Sequence, residues 1–209
     1  CCRAGDNKIT QTTNTVVESA SNSMLEGFTI SKTVDDANAI ISVAATSPVL
    51  KDLIIAGAGT SFQVAIDIAS GSPEIDNAVI SAVNAGVQIT TGSPIIRNSR
   101  ISGAITGVYQ NGDNSAIGTR VSYCDISTTG NDVITGAASS VIYTNHNTFR
   151  GTGNNFYVAT GTTVESNNDE HKKANVSATG TFIDLTNVES YTEAEEAVGI
   201  GDAVYINGL

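Results

Sequence analysis

The chain has 209 residues, a formal net charge of −11, 40% apolar residues and 15% charged ones, which fits one domain or one long solenoid with a tail. Ten Lys and Arg against 21 Asp and Glu argue against a nucleic-acid surface, because phosphate contacts need clustered cations. No apolar run approaches the ~18 residues of a membrane span, and the Ile and Val content sets the body apart from a disordered chain.

Three cysteines do not make a disulfide framework. Cys1-Cys2 fits either the mature end of a lipoprotein or a cut fragment, and the residues that follow do not read as a signal sequence. Ile9, Val16 and Leu25 then keep spacings of 7 and 9 that recur later, so the first residues are expected to form a coil of their own.

From Met24 to Gly103 one phrase is repeated four times: Leu25 to Ser31, Leu50 to Ala56, Ile75 to Ser81 and Ile96 to Ser102. Ile30, Ile55, Ile80 and Ile101 are 25, 25 and 21 apart, and Ile126 and Phe149 continue at 25 and 23. A period in that range marks a solenoid. Two residues ahead of each of these stand Phe28, Leu53, Ala78, Ser99, Cys124 and Asn147. Five ahead stand Leu25, Leu50, Ile75, Ile96, Val121 and Thr144. Between the two columns a short turn carries Asp52, Asn77, Asn98, Tyr123 and His146. Asn and Asp accept left-handed backbone, so their recurrence fits a corner. Cys124 is expected to be a buried, reduced thiol.

A further strand precedes each phrase by nine residues. Its inward column reads Val16, Ile41, Ile66 and Val87, with Glu18, Val43, Ile68 and Ile89 two further on. Val108 and Gln110, Val133 and Thr135, and Phe156 and Val158 carry it upward. Alternation then turns Val17, Ser42, Asp67, Gln88, Tyr109, Ile134 and Tyr157 to solvent. Ser47-Pro48, Ser72-Pro73 and Ser93-Pro94 form the next corner, where the missing proline amide costs nothing. Two coils carry four extra residues, around Lys32 to Asp36 and Gly57 to Ser61, and a third carries them at Asn111 to Ser115. Such insertions become loops, and loops often make contacts.

Residues 165–175 are polar throughout and read as a loop or the end of the stack. Thr181 to Leu185 reads as a strand, 192–197 as a helical turn or two, and 201–208 as a strand closed by a turn. The expected fold is all-β: a right-handed, single-stranded parallel β-helix of about seven coils and three short strands per coil, with a short C-terminal strand and turn tail. Seven coils would give a rod of roughly 34 Å. The division expected is a β-helix over 1–163 and a polar loop and tail over 164–209, the latter a cap, a trimerisation segment or the start of a further domain. A β-sandwich is the rival and would lack same-position columns.

The columns over residues 9–158, with Leu25-x-Gly27-Phe28-Thr29-Ile30 and the corner residues Asn77 and Asn98, resemble the right-handed parallel β-helix of the pectate-lyase-like superfamily. That superfamily includes lyases, glycoside hydrolases, adhesins and phage tailspikes. Phe182 to Thr186 and Gly201 to Ile206 look like pieces seen in phage tail and fibre proteins.

The resemblance directs attention to the outward strand face. Glycoside hydrolysis needs two carboxylates on one bond, and that column offers Asp67 alone, with Asp35-Asp36 on a neighbouring loop able to make a cluster of three or a calcium site. The Gly-His-Gly and Arg-x-Lys motifs of polygalacturonase-like members are missing, and Arg97 and Arg100 belong to another face. His146 belongs to the corner column and His171 to a polar loop. The Thr pairs 90–91, 128–129 and 162–163 fall in turns rather than in the aligned rank that ice binding needs. No catalytic residue, metal ligand or cofactor is therefore assigned. Sugar binding asks less: Asp67, Gln88, Tyr109 and Tyr157 are the candidate glycan-binding residues, with Tyr123 at a corner and Asn111, Asp113 and Asn114 able to bond hydroxyls.

The leading expectation is a non-catalytic structural or recognition protein of a virion surface, a phage tail spike, tail fibre or head-surface protein. It is expected to be a homotrimer that meets other virion proteins and host-surface glycan. The alternatives are a polysaccharide lyase or hydrolase of the β-helix superfamily, and an adhesin on a bacterial cell surface.

Overall fold

A computed structural model describes residues 7–12, 14–19, 23–44, 47–61, 63–114, 117–136, 139–171 and 176–185. All regular structure among them is strand, and every strand pair is parallel. The strands form a β-solenoid of about seven turns with three faces. The first face begins at Val17–Ser19 and ends at Val176–Ala178, the second runs from Met24–Glu26 to Thr181–Asp184, and the third from Asn7–Gln11 to Glu170–His171. The second face is a sheet of eight strands. The first and third join into one sheet because Arg100–Gln110 and Asp125–Thr135 each run unbroken around the corner between them.

Like stands on like. Ile9, Ile30, Ile55, Ile80, Ile101, Ile126 and Phe149 are mutual partners in adjacent ranks of the third face. Those from Ile30 upward have no solvent exposure. Leu50, Ile75, Ile96 and Val121 do the same on the second face, and Ile41, Ile66, Val87, Val108, Val133 and Phe156 on the first. No single coil can enclose such a column, so each rank is stable only on its neighbours.

The turn between the second and third faces needs one left-handed residue per rank. Gly27, Asp52, Asn77, Asn98, Tyr123, His146 and Asn168 fill it, with φ between 52° and 77°. Tyrosine is poor at this conformation, but the Tyr123 ring stacks on that of His146 with centroids 5.1 Å apart, which adds contact that favours the corner. Past this residue the chain turns an N–H inward. From the middle of the stack upward a polar side chain from the rank above receives it in three ranks: Ala78 N donates to Ser99 Oγ, Cys124 N to Asn147 Oδ1, and Asn147 N to Asp169 Oδ1.

The interior therefore changes character along the axis. Ile and Leu fill the lower ranks, whereas Gln110, Thr119, Thr135, Thr144, Asn147, Ser166 and Asp169 are buried in the upper ones. They bond one another: Thr119 Oγ1 donates to Gln110 Oε1 at 2.7 Å, and Thr135 and Thr162 share a hydroxyl bond of 2.6 Å. Asp132, also fully buried, accepts from Thr128 N and Oγ1, Gly151 N and Asn155 Nδ2. Burial pushes its carboxyl up, and these donors pull the other way.

Two expectations need correction. Residues 165–171 are not a loop: Thr163–Asn167 pairs with Val141–Asn145, Glu170–His171 pairs with Thr148–Phe149, and Asn168 makes the usual corner. The stack continues through Thr181–Asp184, well past 163. In the first coil, Val17 rather than Val16 pairs with Ile41, so Glu18 joins the outward column and Val17 leaves it. Val16 N and Val17 N both donate to Ile40 O at 3.0 Å, a bulge that absorbs one residue. The expectations for 192–197, for 201–208 and for Cys1-Cys2 lie outside the described residues.

The insertions are tied down. Asp35 accepts from Ser61 N at 2.9 Å and Gln63 N at 3.2 Å, and Gln63 Nε2 returns a bond to Val34 O at 3.0 Å. Ala39, Val64 and Ala85 make a small second core in this region. Lys32 turns inward, fully buried, and is held by Asp36 and by Asn38 O.

Candidate functional site

The outward side chains of the first face stand in single file: Glu18, Ser42, Asp67, Gln88, Tyr109, Ile134, Tyr157 and Ser177, each the in-register partner of the next. Their inward neighbours Ile66 and Ile68, or Val87 and Ile89, are in the core, so strand alternation alone turns the file outward. At ~4.8 Å per rank, Asp67 to Tyr157 covers roughly 19 Å. Asp67, Gln88, Tyr109 and Tyr157, singled out from the sequence, are thus brought onto one line.

Both tyrosines are shaped by local contacts. Tyr109 donates its hydroxyl to Asn111 Oδ1 at 2.8 Å. Its ring lies against Gly136, where a Cβ would come within 2.7 Å of Cε2, so a larger residue there would push the ring aside. Tyr157 is 42% exposed and offers an open ring face. Ile134 sits half-buried between them.

Asp67 is the electrostatic exception on this face. Its Oδ1 is buried with no hydrogen-bond partner among the described residues, and burial pushes its carboxyl above the usual value. A folded-state pKa above the unfolded one means that folding favours the protonated acid. The stability this brings is complete below the ordinary value of 3.8 and is lost as pH rises through the folded pKa. Asp67→Asn is therefore expected to raise the melting temperature at neutral pH, with the gap closing as the pH falls toward 3.8; thermal melts across pH check it.

The cluster of Asp35, Asp36 and Asp67 does not form. Asp35 is bound to Ser61 N and Gln63 N, and Asp36 to Lys32 and Asn38 N. The bond from Lys32 and the Asn38 amide hold the Asp36 carboxyl below its usual range. Among the described residues no group of three or more His, Cys, Asp and Glu side chains could hold a metal ion. Cys124 points inward and burial pushes its thiol up to about 12, which leaves it inert as a nucleophile. Asn114 cannot serve a ligand hydroxyl: it is buried, accepts from Val141 N and donates to Thr119 Oγ1 and Val141 O.

Comparison with protein-family models, with curated proteins and with solved structures found no match.

Two features escaped the sequence reading. Glu18 was hidden by the bulge, although Leu25 follows Val17 by 8 residues where Leu50 follows Ile41 by 9. On the second face, Arg120, Tyr143, Asn145, Glu165 and Asn167 line a groove of about 340 Å³. Tyr143 reclines there over Gly118, which has a φ of 78° and where a Cβ would meet Tyr143 Cε2 at 2.4 Å. The signal for both Arg120 and Tyr143 was their place immediately before Val121 and Thr144, inward residues of the second face.

Proposed function

We propose that this chain is a non-catalytic recognition rod of a virion surface, of the tail-spike, tail-fibre or head-surface kind, assembled as a homotrimer, and that its first face meets glycans of the host surface. The observation that carries the reading is the straight file of Asp67, Gln88, Tyr109, Ile134 and Tyr157. Aromatic rings and an isoleucine give flat apolar area for the C–H faces of sugar rings, and the amide and carboxylate at one end bond hydroxyls. The virion assignment is supported by the resemblance of the columns to a β-helix superfamily that includes phage tailspikes and of Phe182 to Thr186 and Gly201 to Ile206 to pieces of phage tail and fibre proteins, and it suits a stiff stack whose ranks are each closed by backbone pairing.

A glycan-panel titration tests the binding. Tyr109→Ala and Tyr157→Ala are each expected to weaken it about threefold to tenfold, the worth of one lost ring contact. A monomer in light scattering that also depolymerises a capsular or pectic polymer would overturn the reading.

Hydrolysis is the second reading, and one observation favours it: Glu18 stands two ranks from Asp67 in the same file. Two ranks put the strands roughly 9.6 Å apart, at or just beyond the upper end for an inverting pair. Release of reducing ends that Glu18→Gln abolishes would establish it.

A further inference from the structure

We propose that the glycan taken by the first face bears a free amine, and that its ammonium group sits on Asp67 while the following sugar rings lie over Gln88, Tyr109 and Tyr157. The inference rests on the glycan reading above and names the class of sugar.

The contrast with the other faces carries it. On the second face Glu26 faces Lys51 at 3.2 Å, and Arg97 serves both Glu74 and Asp76. On the third, Asp125 lies between Arg100 at 3.8 Å and Arg150 at 3.5 Å. Lys32 is engaged by Asp36. The file of the first face holds two carboxylates and no cation: Glu18, Ser42, Asp67, Gln88, Tyr109, Ile134, Tyr157 and Ser177.

Asp67 is the one of the two that is half-buried, with an oxygen shut off from water and without a donor among the described residues. A carboxylate in that state is destabilising on its own and becomes favourable when a cation arrives to share it. An ammonium can reach the carboxylate only through Oδ2, since Oδ1 is shut off from water, and there it brings a full positive charge, whereas a sugar hydroxyl supplies one neutral bond. The net charge of −11 draws cations and repels the uronic acids that an arginine-lined groove would take. A saccharide is favoured over a lysine-rich peptide because the file runs four ranks from Asp67 to Tyr157 with ring faces at Tyr109 and Tyr157, spaced for a chain of rings.

The probes are oligomers of glucosamine and their fully N-acetylated counterparts, titrated calorimetrically into the full chain at a mildly acidic pH where the amine is charged. The free-amine oligomer is expected to bind at least about tenfold more tightly than the acetylated one, the worth of one charge-assisted bond. Asp67→Asn should erase that difference. Glu170→Gln, which makes the same change in net charge on the third face, should leave the difference in place. Tyr109→Ala should weaken both oligomers alike.

Equal affinity for the two oligomers, unchanged in Asp67→Asn, overturns the amine inference while keeping the face as a neutral-glycan surface. Loss of the preference in Glu170→Gln would reduce it to net-charge attraction and overturn it too. Binding of oligolysine as tight as that of the glucosamine oligomer overturns the saccharide assignment. Binding of neither oligomer, nor of any member of a wider panel, removes the glycan reading itself.

Discussion

Ile80→Ala is expected to destabilise the protein by about 2–5 kcal/mol, the range for truncating a fully buried isoleucine. Ile80 has no exposure and lies between Ile55 below and Ile101 above in a column of the same residue. The cavity cannot close by repacking, because its floor and roof are fixed by backbone ladders a strand spacing apart. The residue also sits mid-stack, and in a solenoid the loss of one interface uncouples the ranks on either side. Denaturant melts should therefore show a lower midpoint together with a reduced slope, as the lower and upper coils begin to unfold separately. Val79→Ser, the neighbouring change on the solvent side of the same strand, should stay within about 0.5 kcal/mol. Equal effects from the two substitutions would mean that the column does not face inward.

The apolar columns explain why so much of the fold was legible. A solenoid repeats its environment at each rank, so Ile30, Ile55, Ile80 and Ile101 report one position four times, and Asp52, Asn77 and Asn98 report one corner three times. The reading failed where the environment stopped repeating. A bulge at Val16 and Val17 removed one residue from the count, and two adjacent valines left no mark of which faced inward. Near the top, the positions held below by Leu50, Leu53, Ile75 and Ala78 are held by Thr144, Asn147, Ser166 and Asp169. Hydropathy sees the end of a core there, although the chain has only exchanged apolar contact for internal hydrogen bonds.

The site divides in the same way. Strand alternation was enough to place Asp67, Gln88, Tyr109 and Tyr157 on one face, since parity is a property of the strand alone. It could not reveal that Asp35 is bound across to the neighbouring coil at Ser61 N and Gln63 N, or that Lys32 turns inward and holds Asp36, because both are set by how the insertions pack. Nor could it show that Asp67 Oδ1 is buried with no hydrogen-bond partner among the described residues.

The polar upper core leads to the second large effect. Asp169→Ala is expected to cost about 3–5 kcal/mol, comparable to removing one partner of a buried charged network. Asp169 is 3% exposed and accepts from Asn147 N at 2.7 Å, Asn147 Nδ2 at 2.9 Å, Ser166 Oγ at 2.7 Å and Thr144 Oγ1. The two hydroxyls can rotate toward other acceptors, but the Asn147 amide hydrogen is fixed by the backbone and would be left buried and unbonded. Asn147 in turn orders the rank below through Cys124 N and Val121 O, so the damage passes downward. Asp169→Asn keeps an acceptor for the Asn147 amide and should recover roughly half of the loss. Hydrogen exchange is the discriminating measurement. Amides of Thr163–Asn167 and Val141–Asn145 should lose protection in Asp169→Ala, while those of Ile54–Ala56 and Val79–Ser81 keep theirs, because neighbours in a solenoid are coupled rank by rank. Uniform loss of protection along the whole stack would show instead that the polar upper ranks and the apolar lower ones unfold as a single unit.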